Sequence, residues 1–425
     1  MRCTYACHSS DHALSRRGFL TAGAGLLGLH SLTQPGAAKA LAGADKRVLV
    51  IWLSGGVSQL ETWDPKPGTN TGGPFQTIAT KVPGAHLCEL LPHTAALMPH
   101  LALVRGINTA EDEHGRGAVI MHTGRRTEPG ITYPHLGSVC ANLLGGETNP
   151  LPGYIHITPR GNGGVSAADA AFLGPRFASV SLDDGKAPQN IDLPADLSAE
   201  ADRARHDIRS RASDRFLKRR RTAQTEAYTN SYDQAAGLMK KKSLFDSSNE
   251  PDKIRDRYGR HDFGRHCLMA RRLLEGGATF VKITHSNYDT HHENFDFHIE
   301  QLGEFDRPFA TLLEDLRVRG LLDSTLVIVM SEFGRTPNIN RTYGRDHWSR
   351  AWSVALAGCG IKGGVVHGKT NANGTNVTDG QVNGGHLFHT YLSALGLDPK
   401  KNWYVDQRPI ARADPKAHAI KEVLA

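Results

Sequence analysis

The sequence predicts an α/β fold, a central and largely parallel mixed sheet flanked by helices. Three observations carry that expectation. Short apolar runs with little polar alternation recur at Arg47–Ser54, Leu101–Arg105, Thr279–Ile283 and Leu326–Met330, the pattern of strands buried on both faces. Segments of helical period lie between them, as the crossovers of a parallel sheet require. The runs end on glycines or dense polar clusters, and in open α/β sheets the carboxyl edge is where ligands bind. At 425 residues the chain is long enough for one large domain or two smaller ones.

The chain begins with an export pattern. Ser15-Arg16-Arg17-Gly18-Phe19-Leu20 precedes a small, apolar run, Thr21–Leu32, and then Ala38-Lys39-Ala40. Paired arginines, a moderately apolar core and an A-x-A cleavage site closely resemble a twin-arginine signal. Residues 1–40 are therefore set apart from the domain at 41–425. The twin-arginine export machinery is the expected partner, and the periplasm or another extracytoplasmic space the expected destination. The apolar run is too short to span a membrane comfortably, and no later stretch is long enough. Of the formal charge of +7, residues 1–40 carry +3. The remainder calls for no nucleic-acid partner. Cys88, Cys140, Cys267 and Cys359 are widely spaced, so neither a disulfide framework nor a zinc spacing is expected.

Arg47–Ser54 reads as the first strand, and Gly55-Gly56 lets the backbone turn tightly at the sheet edge. Glu61 and Asp64 follow within reach of a site there, although Asp64-Pro65 also suits a turn. Leu87–Met98 reads as a short helix, Leu101–Arg105 as a strand and Ala118–His122 as a helix. Tyr133–Leu144 is a further helix, Gly153–Thr158 a strand and Pro159–Asp184 a surface loop. Leu197–Lys242 is strongly helical. Its Arg203, Arg205, Arg209 and Arg211 alternate with Asp202, Asp207 and Asp214, which suits a solvated, self-paired surface. A helical insertion is accordingly expected at about residues 197–260. Helices follow at Glu250–Tyr258 and Asp262–Glu275; in the second, Cys267, Leu268, Leu273 and Leu274 fall near one face. Thr279–Ile283 is a strand, and the helix Phe295–Gly320 feeds the strand Leu326–Met330. Ser353–Ala357 and Gly364–His367 are later strands, Gly384–Leu397 contains a helix, and Pro399–Ala425 is a basic, peripheral tail.

Three strand ends carry chemistry. Asn108–Arg116 holds Glu111, Asp112, Glu113 and His114 ahead of a helix, where helix N-termini meet ligands or where acids merely cap. His285–Glu293 is the densest cluster. Asp289 and His291, two apart in an extended loop, can point at one cation, while Asp289 or Thr290 also suits a helix cap. The third end releases Ser331-Glu332-Phe333-Gly334-Arg335, with Asp346-His347-Trp348 a little further on. An acid at a strand end with a nearby histidine is raw material for a metal or acid/base site.

The stretches LSGGVSQLETWDPKPG, HGRGAVIMHTGRR, DTHHENF, VIVMSEFGRTP, GRDHW and GGHLFHTYLSALGLDP resemble a large family of exported bacterial proteins, the DUF1501 domain of unknown function. That family is in turn similar to the alkaline phosphatase and sulfatase superfamily. The resemblance implies a sheet between helices, with metal ligands on loops at strand ends. Asp289 and His291 look like the superfamily's Asp/His metal pair, and His347 resembles its last metal-binding histidine. Glu332 falls at the Asp of an Asp-His pair whose histidine is replaced by Phe333. His114 occupies the nucleophile position, and Ser54 the place of the acid after the first strand.

A two-metal phosphatase site needs about six protein ligands, more than these residues supply. One divalent metal ion on Asp289, His291, Glu332 and His347 keeps a reasonable ligand set. Chemistry would then fall to metal-activated water, with His114 or Glu113 as proton acceptor. Arg116, Arg125 or Arg335 would contact the anion of a phosphate or sulfate ester. The other expectation is a binding or assembly protein on the same fold with a degenerate site. On the export side, replacing Arg16 and Arg17 by Lys should leave the precursor in the cytoplasm. Fractionation recovering the double variant outside the cytoplasm at wild-type yield would sink the twin-arginine reading.

Overall fold

Val48, Val50 and Trp52 face one core, and Leu49, Ile51 and Leu53 face another, because successive strand side chains point to opposite sides of a sheet. These residues form β1 (Arg47–Leu53), the strand with which the others align. The computed structural model describes residues 46–425 apart from 147–148, 150, 160–166, 189–190, 220–222 and 406. The expected export signal lies outside the described residues.

Seven further strands complete the main sheet: β2 (Leu101–Ile107), β3 (Tyr154–Thr158), β4 (Val180–Asp183), β5 (Phe280–His285), β6 (Thr325–Met330), β7 (Trp352–Gly358) and β8 (Val365–His367). Their order is β8-β2-β7-β6-β1-β5-β3-β4. Pairing is parallel throughout except at β7, which runs against both β6 and β2. The expected α/β architecture is thus present. The carboxyl ends of β1, β2, β5 and β6 share one edge with the amino end of β7.

The helices are α1 (Pro92–Ala96), α2 (His114–Thr123), α3 (Leu136–Leu144), α4 (Ala199–Arg219), α5 (Ala223–Lys240), α6 (Asp252–Tyr258), α7 (Asp262–Glu275), α8 (Asn294–Val318) and α9 (Gly384–Ala394). Leu268, Leu273 and Leu274 of α7, with Phe305, Phe309 and Leu313 of α8, join the Leu49 side of the core. Met121 of α2, Val139 of α3 and Leu387 of α9 join the Val48 side. Within residues 197–260, where a helical insertion is expected, lie α4, α5 and α6, and Arg209 of α4 bonds Asp233 of α5 at 3.0 Å and stacks over Tyr232. The four cysteines of the described domain are free and buried.

Four expectations change. Within Leu87–Met98 only α1 is α-helical, starting at Pro92 as a first-turn proline allows, while His86–Cys88 pairs with Thr77–Ala79. The stretch expected as loop at 159–184 contains β4, a short edge strand in which only Leu182 is fully buried. Helix α2 begins at His114 rather than Ala118, because Glu113 caps it. The tail is not peripheral: Ile420 and Val423 are buried in the Val48 side of the core, beneath the charge that the composition shows.

The loops of the sheet edge are tied together by a buried ion pair. Arg345 donates through Nη2 to Glu61 Oε1 at 2.7 Å and through Nε to Oε2 at 3.1 Å, with both side chains fully buried. Its other donors reach the carbonyls of Thr336, Pro337 and Thr71. Asn294 Nδ2 donates to Glu61 Oε2 at 3.0 Å. Glu61 therefore faces inward rather than toward the edge where a ligand would sit. Burial alone would raise its carboxyl, but Arg345 and then His298 draw it below the usual range. Glu61→Ala leaves Arg345 charged, buried and unpaired, and should cost about 3–5 kcal/mol of stability. A denaturant midpoint unchanged from wild type would refute this. In wild type the pair's contribution holds above the ordinary carboxylate range and is lost as pH falls through Glu61's depressed value.

Candidate metal centre

Close backbone approach builds this edge first. Gly55 takes φ +113°, and a Cβ there would lie 2.4 Å from the Asp289 amide nitrogen. Only glycine lets the turn after β1 pass so near the loop after β5. The Gly55 amide donates to Glu332 Oε1 at 2.9 Å, and the Gly56 amide to Ser331 Oγ at 3.0 Å, which joins the loop after β6. The third loop arrives through a short ribbon, Gly334–Arg335 paired with His347–Trp348, just ahead of β7.

Three imidazoles are turned by what their Nδ1 atoms bond. His347 Nδ1 lies 2.6 Å from the Asp112 carbonyl, which only accepts, so Nδ1 carries the proton. His291 Nδ1 donates to Asp346 Oδ1 at 2.7 Å, and His114 Nδ1 to Glu332 Oε1 at 2.7 Å. In each neutral ring Nε2 is left as a lone pair aimed inward. His291 Nε2 and His347 Nε2 are 3.0 Å apart, and each is within 3.2 Å of Asp289 Oδ1. Three lone-pair atoms so close repel unless a cation or a shared proton sits between them. Tetrahedral coordination at zinc-like bond lengths separates neighbouring ligand atoms by about 3.3 Å, so this triangle fits one face of such a shell. His114 Nε2 comes to 3.3 Å from the other oxygen, Asp289 Oδ2. Single ligand atoms of His114, Asp289 and His347 all lie within 4.8 Å of one another.

Of the residues expected from the sequence, Asp289, His291 and His347 thus converge. Glu332 stands behind His114, holding its ring and the Gly55 amide, rather than among the convergent atoms. Glu113 spends both carboxylate oxygens on the Gly115 and Arg116 amides as the cap of α2. Arg116 is largely exposed and pairs with Glu111. Arg335 is fully buried and engaged at all three guanidinium nitrogens: Nε donates to Gly56 O, Nη1 to Arg345 O, and Nη2 to Gly55 O and Asp289 Oδ1. Arg125 stacks on Tyr133 and donates to the Ala411 carbonyl. Arg125 and Arg335 are turned to protein acceptors, whereas Arg116 engages only its Nε and leaves its terminal nitrogens at the surface without a partner among the described residues. Phe333 is buried, with its ring 4.5 Å from that of His347 and 4.9 Å from that of His114.

Sequence reading did not single out Asp346 and the Asp112 carbonyl as the groups that orient rings. Asp346 stands beside His347 in GRDHW, but nothing in the order of residues ties it to His291. Electrostatics follows the geometry. Burial would raise the Asp289 carboxyl, yet Arg335, with lesser help from His114 and His347, brings it down to about 2. The hydrogen bond to Glu332 raises His114 above the usual imidazole value, whereas burial lowers His347.

One zinc ion should bind per chain. His347→Ala should abolish stoichiometric binding, and Asp346→Asn should weaken it about 10–100-fold, the usual cost of losing an outer partner. Protons compete for His347 Nε2, whose proton affinity burial lowers, so zinc affinity should fall only as pH drops below the ordinary imidazole value of about 6.5. Competition with a chromophoric chelator measures all three effects. Zinc affinity indifferent to both substitutions would remove the site.

The family described as "Protein of unknown function (DUF1501)" matches residues 45–424. No curated protein matches the chain. Similar solved structures include an alkaline phosphatase from the Antarctic bacterium TAB5, 13% identical over 83% of this chain and 98% of that one, with a TM-score of 0.36. A protein in the alkaline phosphatase superfamily from Vibrio parahaemolyticus is 12% identical over 84% of this chain and 67% of that one, with a TM-score of 0.36. A sulfatase from Pseudoalteromonas sp. is 13% identical over 85% and 70%, with a TM-score of 0.38. At these scores the likeness assigns no activity. The family match, by contrast, takes in nearly all of the described residues, and the chain belongs to the DUF1501 family.

Proposed function

We propose that the protein is an exported, metal-dependent hydrolase of phosphate or sulfate esters, with Asp289, His291 and His347 holding one divalent cation. The observation that supports it is the triangle of Asp289 Oδ1, His291 Nε2 and His347 Nε2, each fixed from behind by a second partner. A divalent cation there would supply Lewis acidity toward an ester oxygen and toward water. Export rests on the Arg16-Arg17 signal pattern.

The chain's own groups have separate tasks in this reading. Glu332 keeps the proton on His114 Nδ1, so Nε2 faces the donors as a proton acceptor, and the raised affinity of that ring suits it to work near neutral pH. Arg335 holds Asp289 ionised and aimed. Phe333 presents an apolar wall on one side and keeps water off it. Because Arg335 and Arg125 are turned to protein acceptors, the anionic charge of the ester would be met by the cation and by the exposed guanidinium of Arg116.

A second assignment, His114 as a fourth ligand, draws support from its Nε2 lying so near Asp289 and His347. His114→Ala separates the two. As a proton acceptor its loss should leave zinc content at wild type and lower turnover about 10²–10⁴-fold. As a ligand its loss should lower zinc content as well. A folded, zinc-loaded wild type that hydrolyses no ester across a broad phosphatase and sulfatase panel would overturn the hydrolase reading in favour of a binding protein.

A further inference from the structure

A second polar cluster lies on the Val48 side of the sheet, and the metal centre makes no use of it. Lys282 sits in the middle of β5 with only 8% of its surface exposed. Its Nζ is 3.0 Å from His122 Nε2 on α2 and 5.0 Å from the centre of the Trp52 ring. His122 packs 4.3 Å from Trp52 and 4.9 Å from His135, which precedes α3. His156 is the register partner of Lys282 across β3 and β5, and its Nε2 lies 2.8 Å from Thr284 Oγ1. One ammonium and three imidazoles from four different segments therefore meet.

What the cluster lacks is an anion. Among the described residues no carboxylate comes within 4.0 Å of Lys282 Nζ. Glu332 and Asp169 act on it only from further away, and Asp169 accepts the Ser179 amide. An ammonium withdrawn from water without a counter-charge is costly, and burial drives Lys282 down to about 8. Burial and then Lys282 depress the histidines too, His135 to about 4. Yet His122, His135 and His156 each keep part of their surface exposed. The His135 ring makes no hydrogen bond to the described residues. A metal ion does not suit the cluster, because the ammonium stands among the nitrogens.

We propose that Lys282, His122, His135 and His156 form a binding site for a small tetrahedral oxyanion, separate from the metal centre. The ammonium supplies the charge, and the imidazoles supply donors from several directions, as a tetrahedral anion accepts them. His122 is eight residues beyond His114 on α2, about 12 Å along the helix. The site is therefore distinct, and the proposal stands whether or not the metal centre is catalytic. Binding completes a missing charge and draws protons onto His122, His135 and His156, so affinity should rise as pH falls, with Glu332 and Asp169 the facing acids.

The test is calorimetric titration of inorganic phosphate into the full chain. Wild type should bind one phosphate, with proton uptake visible as a dependence of the enthalpy on the buffer. His347→Ala should bind it equally, which separates this site from the metal centre. Lys282→Met should lose about tenfold or more in affinity, as should His135→Asn, a milder change at a ring that makes no hydrogen bond to the described residues. Lys282→Arg, which keeps the charge, should retain more than Lys282→Met. Phosphate affinity unchanged in both Lys282→Met and His135→Asn, or abolished in His347→Ala, would overturn the proposal, as would no binding by wild type.

Discussion

The buried pair of Glu61 and Arg345 is the constraint on which the ligand edge depends. The segments after β1, β5 and β6 run there largely outside helix or strand, and each would need its own partners to stay in place. A single guanidinium answers most of that need, because its planar fork can serve a carboxylate and several carbonyls at once. The Arg345 amide adds a bond to Thr290 O, which draws in the segment carrying Asp289 and His291. A lysine could not replace it, since one ammonium cannot span those acceptors.

The same logic, side chains fixed from behind, operates at the convergent donors. Each imidazole is oriented by a different acceptor: a backbone carbonyl for His347, Asp346 for His291, and Glu332 for His114. The inward atoms can then be mutually repulsive in isolation without the rings turning away. Arg335 performs the corresponding task for Asp289. It is the reason a carboxylate expected to be raised by burial is instead strongly ionised. Such preorganisation is what distinguishes a built site from a chance gathering of polar groups.

The sheet was legible because its strands are continuous apolar runs with glycine or polar stops, a signal that survives without any knowledge of partners. Strand β4 was not, because its short alternating VSLD carries no such run. Among the functional groups, residue type and strand-end position directed attention to Asp289, His291, Glu332 and His347. Partnership was hidden. Glu332 and Asp289 are equally plausible ligands as letters, and only folding reveals that Glu332 is occupied by His114 and the Gly55 amide. Lys282 was invisible for a related reason. One lysine inside FVKI reads as a solvent-facing position of a strand, and its histidine neighbours come from residues more than a hundred positions away.

The reversed strand β7 bears on when this site can exist. It enters the sheet at the ligand edge, so His347 is held in place only after Trp352–Gly358 has inserted between β6 and β2. That insertion needs nearly the whole chain, since β2 and β7 are separated by most of its length. The donors therefore gather only once the chain has been made past Gly358. Pairings between such distant segments form slowly, because the loop entropy is lost before the contacts reward it. A cation able to bind the triangle would favour the completed topology over every partly folded form that precedes it. The compartment in which β7 docks then bears on which metal the protein acquires.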